Sequence, residues 1–287
     1  MCLVYLEVLG YLNQATQPRK VACVEGLSRF SKTAAFRLLG ERGFERLRAQ
    51  YMAQKIRAGR YRDDELDLLP HLVLAGDTAL DIGANFGLYS FHLASLVGDT
   101  GRIYAFEAVP STTVALHRVL RSLRVADRVT VIDKAVGDCS GRVEVSFSRR
   151  ADGSVLRGEA TILPAGASGT DETVDVPVTR IDDVLTPDPR ITFMKVDVEG
   201  ADLKVLRGAE RLIDRSAPTI LIEVARELLC PHGDSAFAIQ AYLSDHGYRT
   251  YRYDPSARRL IPFPASEATA NVLAVHPRRA DRLGALV

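Results

Sequence analysis

From residue 78 onward, apolar runs of strand length alternate with stretches patterned for helices. TALDI, RIYAF, VTVID, ITFMKVDV, TILIEV, YRTYRY and NVLAV read as strands. Between them, Leu116, Val119, Leu120 and Leu123 recur at helical spacing after Ser111, and Val205, Leu206, Ala209, Leu212 and Ile213 do the same after Gly200. This alternation predicts a mostly parallel sheet covered by helices on both faces. Residues 1 to 70 carry helix-like patterns and basic stretches such as RFSKTAAFRLLGERGFERLRAQ, with no clear strand, so they read as a helical N-terminal extension ahead of a sheet domain at 71–287. The apolar start, MCLVYLEVLGYL, contains Glu7, lacks the basic flank of a signal peptide and is too short to span a bilayer; it reads as a packed helix. Between the strand-like RVEVSF and VDVPV lie 26 residues, Ser148 to Thr173, rich in Gly, Ser and charge. A connection that long inside a compact domain suggests a lid or a substrate-binding element.

Composition narrows the class. With 287 residues, 47% of them hydrophobic and 25% charged, the chain can bury a full core as a soluble protein. Lys plus Arg number 37 and Asp plus Glu 36, so no global field draws it to nucleic acid or an anionic membrane, and a nucleic-acid partner is not expected. Cys2, Cys23, Cys139 and Cys230 are too far apart for a CxxC or zinc pattern and suit a reducing cytoplasm. No transmembrane segment is expected.

Candidate chemistry concentrates in two places. In ALDIGANFGLYS, residues 79–90, a strand runs into a turn at the carboxyl end of the sheet, where ligands of open parallel sheets bind. Gly83 can adopt positive φ and let the main chain touch a ligand, and Gly87 permits close packing of the following helix. Neither GxGxxG nor GxxxxGK[ST] is present, which argues against a pyrophosphate guest. Glu107, at the end of IYAFE, stands roughly 20 to 25 residues beyond the turn, where a carboxylate can accept hydrogen bonds from both hydroxyls of a ribose. In FMKVDVEG, strand alternation puts Lys195, Asp197 and Glu199 on one side and Val196 and Val198 on the other before Gly200 releases the chain into a helix. Charges at the end of a central strand call for a partner, a ligand or a rim position. Glu223 ends TILIEV, and the adjacent Asp182 and Asp183 of RIDDVL read as a helix cap.

In this order, DIGANFGLYS, FEAVP, KAVGD, RIDDVL, MKVDVEGADLKVLRGAERLI, LIEV and NVLAV resemble the FkbM family of class I S-adenosylmethionine-dependent methyltransferases, over residues 78 to about 275. The resemblance implies a Rossmann-like fold with a mostly parallel seven-stranded sheet. It further implies that Asp81, Gly83, Asn85 and Gly87 line the methionine moiety of the cofactor, that Glu107 binds its ribose, and that Ala135 and Val136 pass near the adenine with Asp138 close by. Two departures stand out. Ala108 and Val109 separate the acid from Pro110, where the family often has FEP, and Asp202 stands where Glu is common.

Methyl transfer to an alcohol needs a hydroxyl aimed at the sulfonium carbon and somewhere for its proton to go. Asp197 or Glu199 could take the proton, Lys195 could tune the carboxylate or stabilise alkoxide, and Glu223 could bind or deprotonate the acceptor. His232 and His246 are further candidates for the base, whereas His92 and His117 lie on helical stretches. The carboxylates also permit Mg2+, which the spacing does not establish. FkbM-like proteins imply an acceptor among small molecules, sugars, glycolipids or polyketide-type products. The basic segment from Arg29 to Arg60 and the long connection are the places for acceptor specificity. A nicotinamide-dependent oxidoreductase or a catalytically silent nucleoside-binding module would share the fold and the ribose acid, but the first would need a phosphate-binding glycine turn.

Overall fold

The computed structural model of the protein describes residues 29–149, 155–162, 173–185, 189–264 and 269–286. The apolar N-terminal stretch expected as a packed helix lies outside these residues. The chain forms two compact units, 1–48 and 49–287. A helix, α1 (Arg29–Arg57), contains a non-helical Gly40 (φ 64°, ψ 173°). Within the second unit, Ala49, Met52, Ala53 and Ile56 follow helical spacing and enter the core, as do Leu66, Leu68, Leu69 and Leu72. Residues 49–70, grouped with the N-terminal extension by sequence pattern, therefore pack with the sheet.

The sheet strands are β1 (Thr78–Ile82), β2 (Arg102–Phe106), β3 (Val129–Ile132), β8 (Ile191–Val196), β9 (Thr219–Ala225), β10 (Arg249–Asp254), β11 (Arg259–Pro262) and β12 (Thr269–Val275). The intervening strands are β4 (Ala135–Val136), β5 (Gly141–Arg149), β6 (Val155–Ile162) and β7 (Thr173–Thr179). The main sheet runs β11-β10-β12-β9-β8-β1-β2-β3. Its five strands from β9 to β3 are parallel, while β12 inserts antiparallel between β9 and β10. Seven strands match the Rossmann-like methyltransferase order; the eighth, β11, was not expected and arises because residues 255–258 turn the chain back onto β10.

Strand alternation distributes side chains to two cores. Ala79, Ile103, Ala105, Phe193, Leu221 and Leu273 point to one face, where α2 (Leu88–Val97) and α3 (Pro110–Leu123) pack through Leu93, Val97, Leu116 and Leu120. Leu80, Phe106, Met194, Ile220, Ile222 and Val272 point to the other, against α4 (Asp202–Gly208), α5 (Glu210–Ser216) and α6 (Ala236–Asp245). Alternate residues of one strand thus serve opposite helix layers, which is why both faces of these strands are apolar. The single helix expected after Gly200 is broken at Ala209 (φ −114°, ψ 14°). Asp182 accepts from the backbone N–H groups of Arg211 and Leu212, both at 3.0 Å, and so caps the first turn of α5.

A second sheet, ordered β4-β7-β5-β6, fills the connection between β3 and β8. The long loop expected from Ser148 to Thr173 is corrected here: Val155–Ile162 is a strand that pairs antiparallel with β5. Residues 150–154 and 163–172 of that stretch lie outside the described residues. Among the described residues, no helix is long and apolar enough to cross a membrane.

Candidate active site

An open cleft lies at the carboxyl ends of β1, β2 and β8. The chain proceeds from β1 to β2 and β3 on one side and from β8 to β9 on the other, so the cleft sits where strand order reverses. Asp81, Gly83, Asn85, Glu107, Ala135, Val136, Lys195, Asp197 and Glu199 all line it. Gly87 and Glu223 do not line it directly, and Asp138 is exposed outside it.

The glycine turn is fixed from two sides. The N–H groups of Gly83 and Ala84 both donate to the carbonyl of Phe106, at 3.0 and 2.9 Å, binding the turn to β2. Gly83 (φ 80°) is pressed against β8: a Cβ there would lie 1.8 Å from the backbone oxygen of Asp197. The need for glycine is thus set by the neighbouring strand end, where the sequence pattern suggested the approach of a ligand. Gly87 (φ 80°) does serve close helix packing, since a Cβ would come within 2.8 Å of Leu116 Cδ1 on α3. Asn85, between them, holds φ 48°.

Two buried carboxyls flank this turn. Asp81 Oδ2 accepts from the hydroxyl of Ser90 on α2 at 2.5 Å, and burial pushes its pKa up to about 6. Glu107 accepts from the N–H of Val109 at 2.9 Å through Oε1 and from the N–H of Asn85 at 3.0 Å through Oε2. Burial lifts it to about 7 despite those bonds. Both acids are set in backbone-fixed positions facing the cleft, where a cation or a pair of hydroxyls would relieve their desolvation.

At the end of β8 the chemistry differs. Lys195 is 2% exposed, its Nζ donating to Asp197 Oδ2 at 3.3 Å and to the carbonyl of Val196 at 3.4 Å. Burial works against its charge, yet Asp197 and Glu223 more than offset this and its pKa is raised. Glu223, on β9, faces Asp197; burial and then Asp197 push its carboxyl up to about 8. The alternation expected through Glu199 stops earlier, because β8 ends at Val196 and Glu199 (φ 54°) and Gly200 (φ 103°) turn the chain sharply. Val198 consequently lines the cleft too. Asp202 holds this turn, accepting from the N–H groups of Val198 (3.3 Å) and Gly200 (3.1 Å). The departure at this position therefore sits at a turn-fixing residue buried beneath the cleft rather than lining it.

Several site residues escaped the sequence pattern. Tyr61 and Asp63 line the cleft from a segment ahead of the first strand, and Tyr89 lines it from the first turn of α2. Tyr61 and Asp63 carry no local signal, being brought there by tertiary packing alone; Tyr89 was within reach, since it directly follows the glycine turn. Lys134, beside Ala135, also lines the cleft. None of His92, His117, His232 and His246 lines it. His232 packs on Gly200, and His246 bonds to Tyr242 and approaches Glu210 and Asp214 at 3.9 and 3.8 Å. Among the described residues, no group of three or more His, Cys, Asp or Glu is placed to hold a metal ion.

Residues 81–250, more than half of the chain, match the family described as Methyltransferase FkbM domain. Methyltransferase sdnD of Sordaria araneosa is 28% identical over 198 residues, covering 59% of this chain and 72% of that protein. Among solved structures, a methyltransferase FkbM from Methylobacillus flagellatus is 21% identical with a TM-score of 0.47, covering 71% of this chain and 44% of its own. The present chain thus spans less than half the length of that protein. Aeropyrum pernix fibrillarin, solved with natively bound S-adenosyl-L-methionine, is 18% identical with a TM-score of 0.41, covering 71% of this chain and 68% of its own. The residues present fit such a cofactor: buried carboxyls at Asp81 and Glu107, a turn whose backbone reaches the cleft floor, and apolar walls at Phe86, Ala135 and Val136. The chain belongs to the FkbM family of methyltransferases.

Proposed function

We propose that the protein transfers a methyl group from S-adenosylmethionine to a hydroxyl of a small-molecule, sugar or polyketide-type acceptor. The observation that carries this reading is the carboxyl pair Asp197 and Glu223 beside Lys195 at the end of β8, at the edge of the cleft. When bound, the cofactor supplies an electrophilic methyl carbon on a sulfonium. Asp81, Gly83 and Asn85 hold its methionine end, with Gly87 anchoring the helix behind them. Glu107 accepts from the ribose hydroxyls, and Ala135 and Val136 flank the adenine. Asp138, exposed outside the cleft, is left without a cofactor role.

Burial and the neighbouring Asp197 hold the Glu223 carboxyl toward its protonated form, and Asp197 itself lines the cleft within reach of an acceptor hydroxyl. Asp197 accepts the hydroxyl proton, Lys195 stabilises the resulting negative charge, and Glu199 lines the approach of the acceptor. No step requires a metal. The segment between α1 and β1, which packs with the sheet, contributes to acceptor selection through Tyr61 and Asp63.

The test is transfer of labelled methyl to a panel of hydroxyl acceptors, with Asp197→Asn alongside. The variant is expected to lower kcat by about 10²-fold or more, with affinity for S-adenosylhomocysteine unchanged within a few-fold. Full turnover in Asp197→Asn would remove the assigned base.

A further inference from the structure

One wall of the cleft is not used by the cofactor assignment. Asp63 lines it beside Asp197; Glu65 does not line the cleft but stands close to Asp63 and to the side chain of Asn271. Asn271 is the cross-strand partner of Glu223, so these groups form a continuous face running from the segment before β1 to β12 and β9. Among the described residues, the cations lining the cleft are Lys134, next to the proposed adenine wall, and Lys195. The Nζ of Lys195 is already engaged with Asp197 and lies 5.2 Å from the centroid of the Tyr89 ring. The Tyr89 hydroxyl supplies an independent polar group on this wall. The residue is 6% exposed, and its hydroxyl points toward Asp63 without a hydrogen bond of normal geometry.

We propose that Asp63 and Tyr89, with Glu65 close to Asp63, form the acceptor-recognition wall and that the acceptor carries a protonated amine close to the hydroxyl that is methylated. The ammonium lies against Asp63, whose charge Glu65 reinforces from nearby, the Tyr89 hydroxyl bonds a polar group of the acceptor, and the reacting hydroxyl faces Asp197. This rests on the methyl-transfer reading above. A neutral alcohol would leave several carboxyls crowded about one lysine, and burial already holds Asp63 and Glu65 toward their protonated forms. A cationic acceptor favours their ionised forms and that of the Asp197–Glu223 pair, which must be ionised to accept a proton. Recognition and proton removal are thereby coupled.

The protein saturated with S-adenosylhomocysteine is titrated calorimetrically at pH 7 with glucosamine, N-acetylglucosamine, glucose and MgCl2. Glucosamine is expected to bind at least tenfold more tightly than its acetylated and neutral counterparts. The double substitution Asp63→Asn with Glu65→Gln is expected to abolish that gap while leaving S-adenosylhomocysteine affinity within twofold, which also reports that the variant is folded. The proposal is overturned by absence of an amine preference, including binding of none of the sugars, or by a preference that survives the double substitution. Mg2+ binding lost in the variant would assign the acids to a metal, and loss of S-adenosylhomocysteine affinity would assign Asp63 to the cofactor; either result overturns it. Amine preference without transfer to any hydroxyl would sink the proposed reaction and leave the recognition wall standing. Hydroxyl methylation without amine preference would do the reverse.

Discussion

Glu107 shows how much one residue's chemistry was legible in advance. Its distance from the glycine turn and its position at a strand end marked it from sequence. Its two backbone bonds to Asn85 and Val109, and the burial that lifts it to about 7, belong to the folded chain alone. Glu107→Ala is expected to weaken S-adenosylhomocysteine binding by about 10²-fold, the loss of two charge-assisted hydrogen bonds, with an unchanged circular dichroism spectrum. If ribose hydroxyls bond the ionised carboxylate, binding releases a proton below pH 7. Calorimetric affinity should then weaken as pH falls through about 7 toward 6, and Glu107→Gln should remove that dependence. The stability of the ligand-free protein moves oppositely. A carboxyl raised from 4.5 to about 7 on folding contributes stability that is present below 4.5 and lost as pH rises through 7. Thermal melts of the ligand-free protein should fall across that window, and Glu107→Gln should flatten the fall by an amount on the order of a few kcal/mol. Asp63 was not legible, because nothing within its local sequence says that it will stand beside Lys195.

Among the elements, β1 and β2 form as their apolar runs predicted, and the other strands of the main sheet, β11 apart, shift only at their ends. These runs were readable because burial between two helix layers demands apolar residues at consecutive positions. The hairpin strand Val155–Ile162 was not, since Gly158 and Glu159 interrupt its alternation and its pairing with β5 is supplied across the chain. The glycine turn offers a sharp comparison. Gly83→Ala must displace the backbone oxygen of Asp197 as well as hold φ 80°, whereas Gly233 (φ 76°) has nothing within 4 Å of an added Cβ. Gly233→Ala should cost about 1 kcal/mol, the left-handed strain alone. Gly83→Ala should cost several times as much in denaturant melts, because moving the end of β8 also disturbs Lys195 and Asp197, and should lower S-adenosylhomocysteine affinity in whatever protein remains folded.

Across the sheet-bearing unit, the last described segment is tied back to the beginning of the sheet. Arg282 donates to the carbonyl of Leu72 at 2.9 Å and pairs with Asp77 just before β1, the two side chains being 15% and 11% exposed. Arg279 donates to the carbonyls of Ser216 and Ala217 at the end of α5. Arg282→Ala leaves Asp77 largely buried without its partner and is expected to cost about 2 kcal/mol, less than a fully buried pair. That should appear as a melting temperature lower by roughly 5 °C, with S-adenosylhomocysteine affinity intact. No sequence pattern revealed this clamp, because its partners are separated by 205 positions. The second sheet has a different consequence. It leaves the main sheet after β3 and returns before β8, and β4 and β7 meet as parallel neighbours through Ala135 and Val178. Its outgoing and returning strands are therefore adjacent, so the ends of the hairpin between them are held together independently of its length. Among its described residues only Val145 of β5 lines the cleft, so a change in the length of that hairpin would leave the turn at Gly83 and the ends of β1, β2 and β8 where they stand.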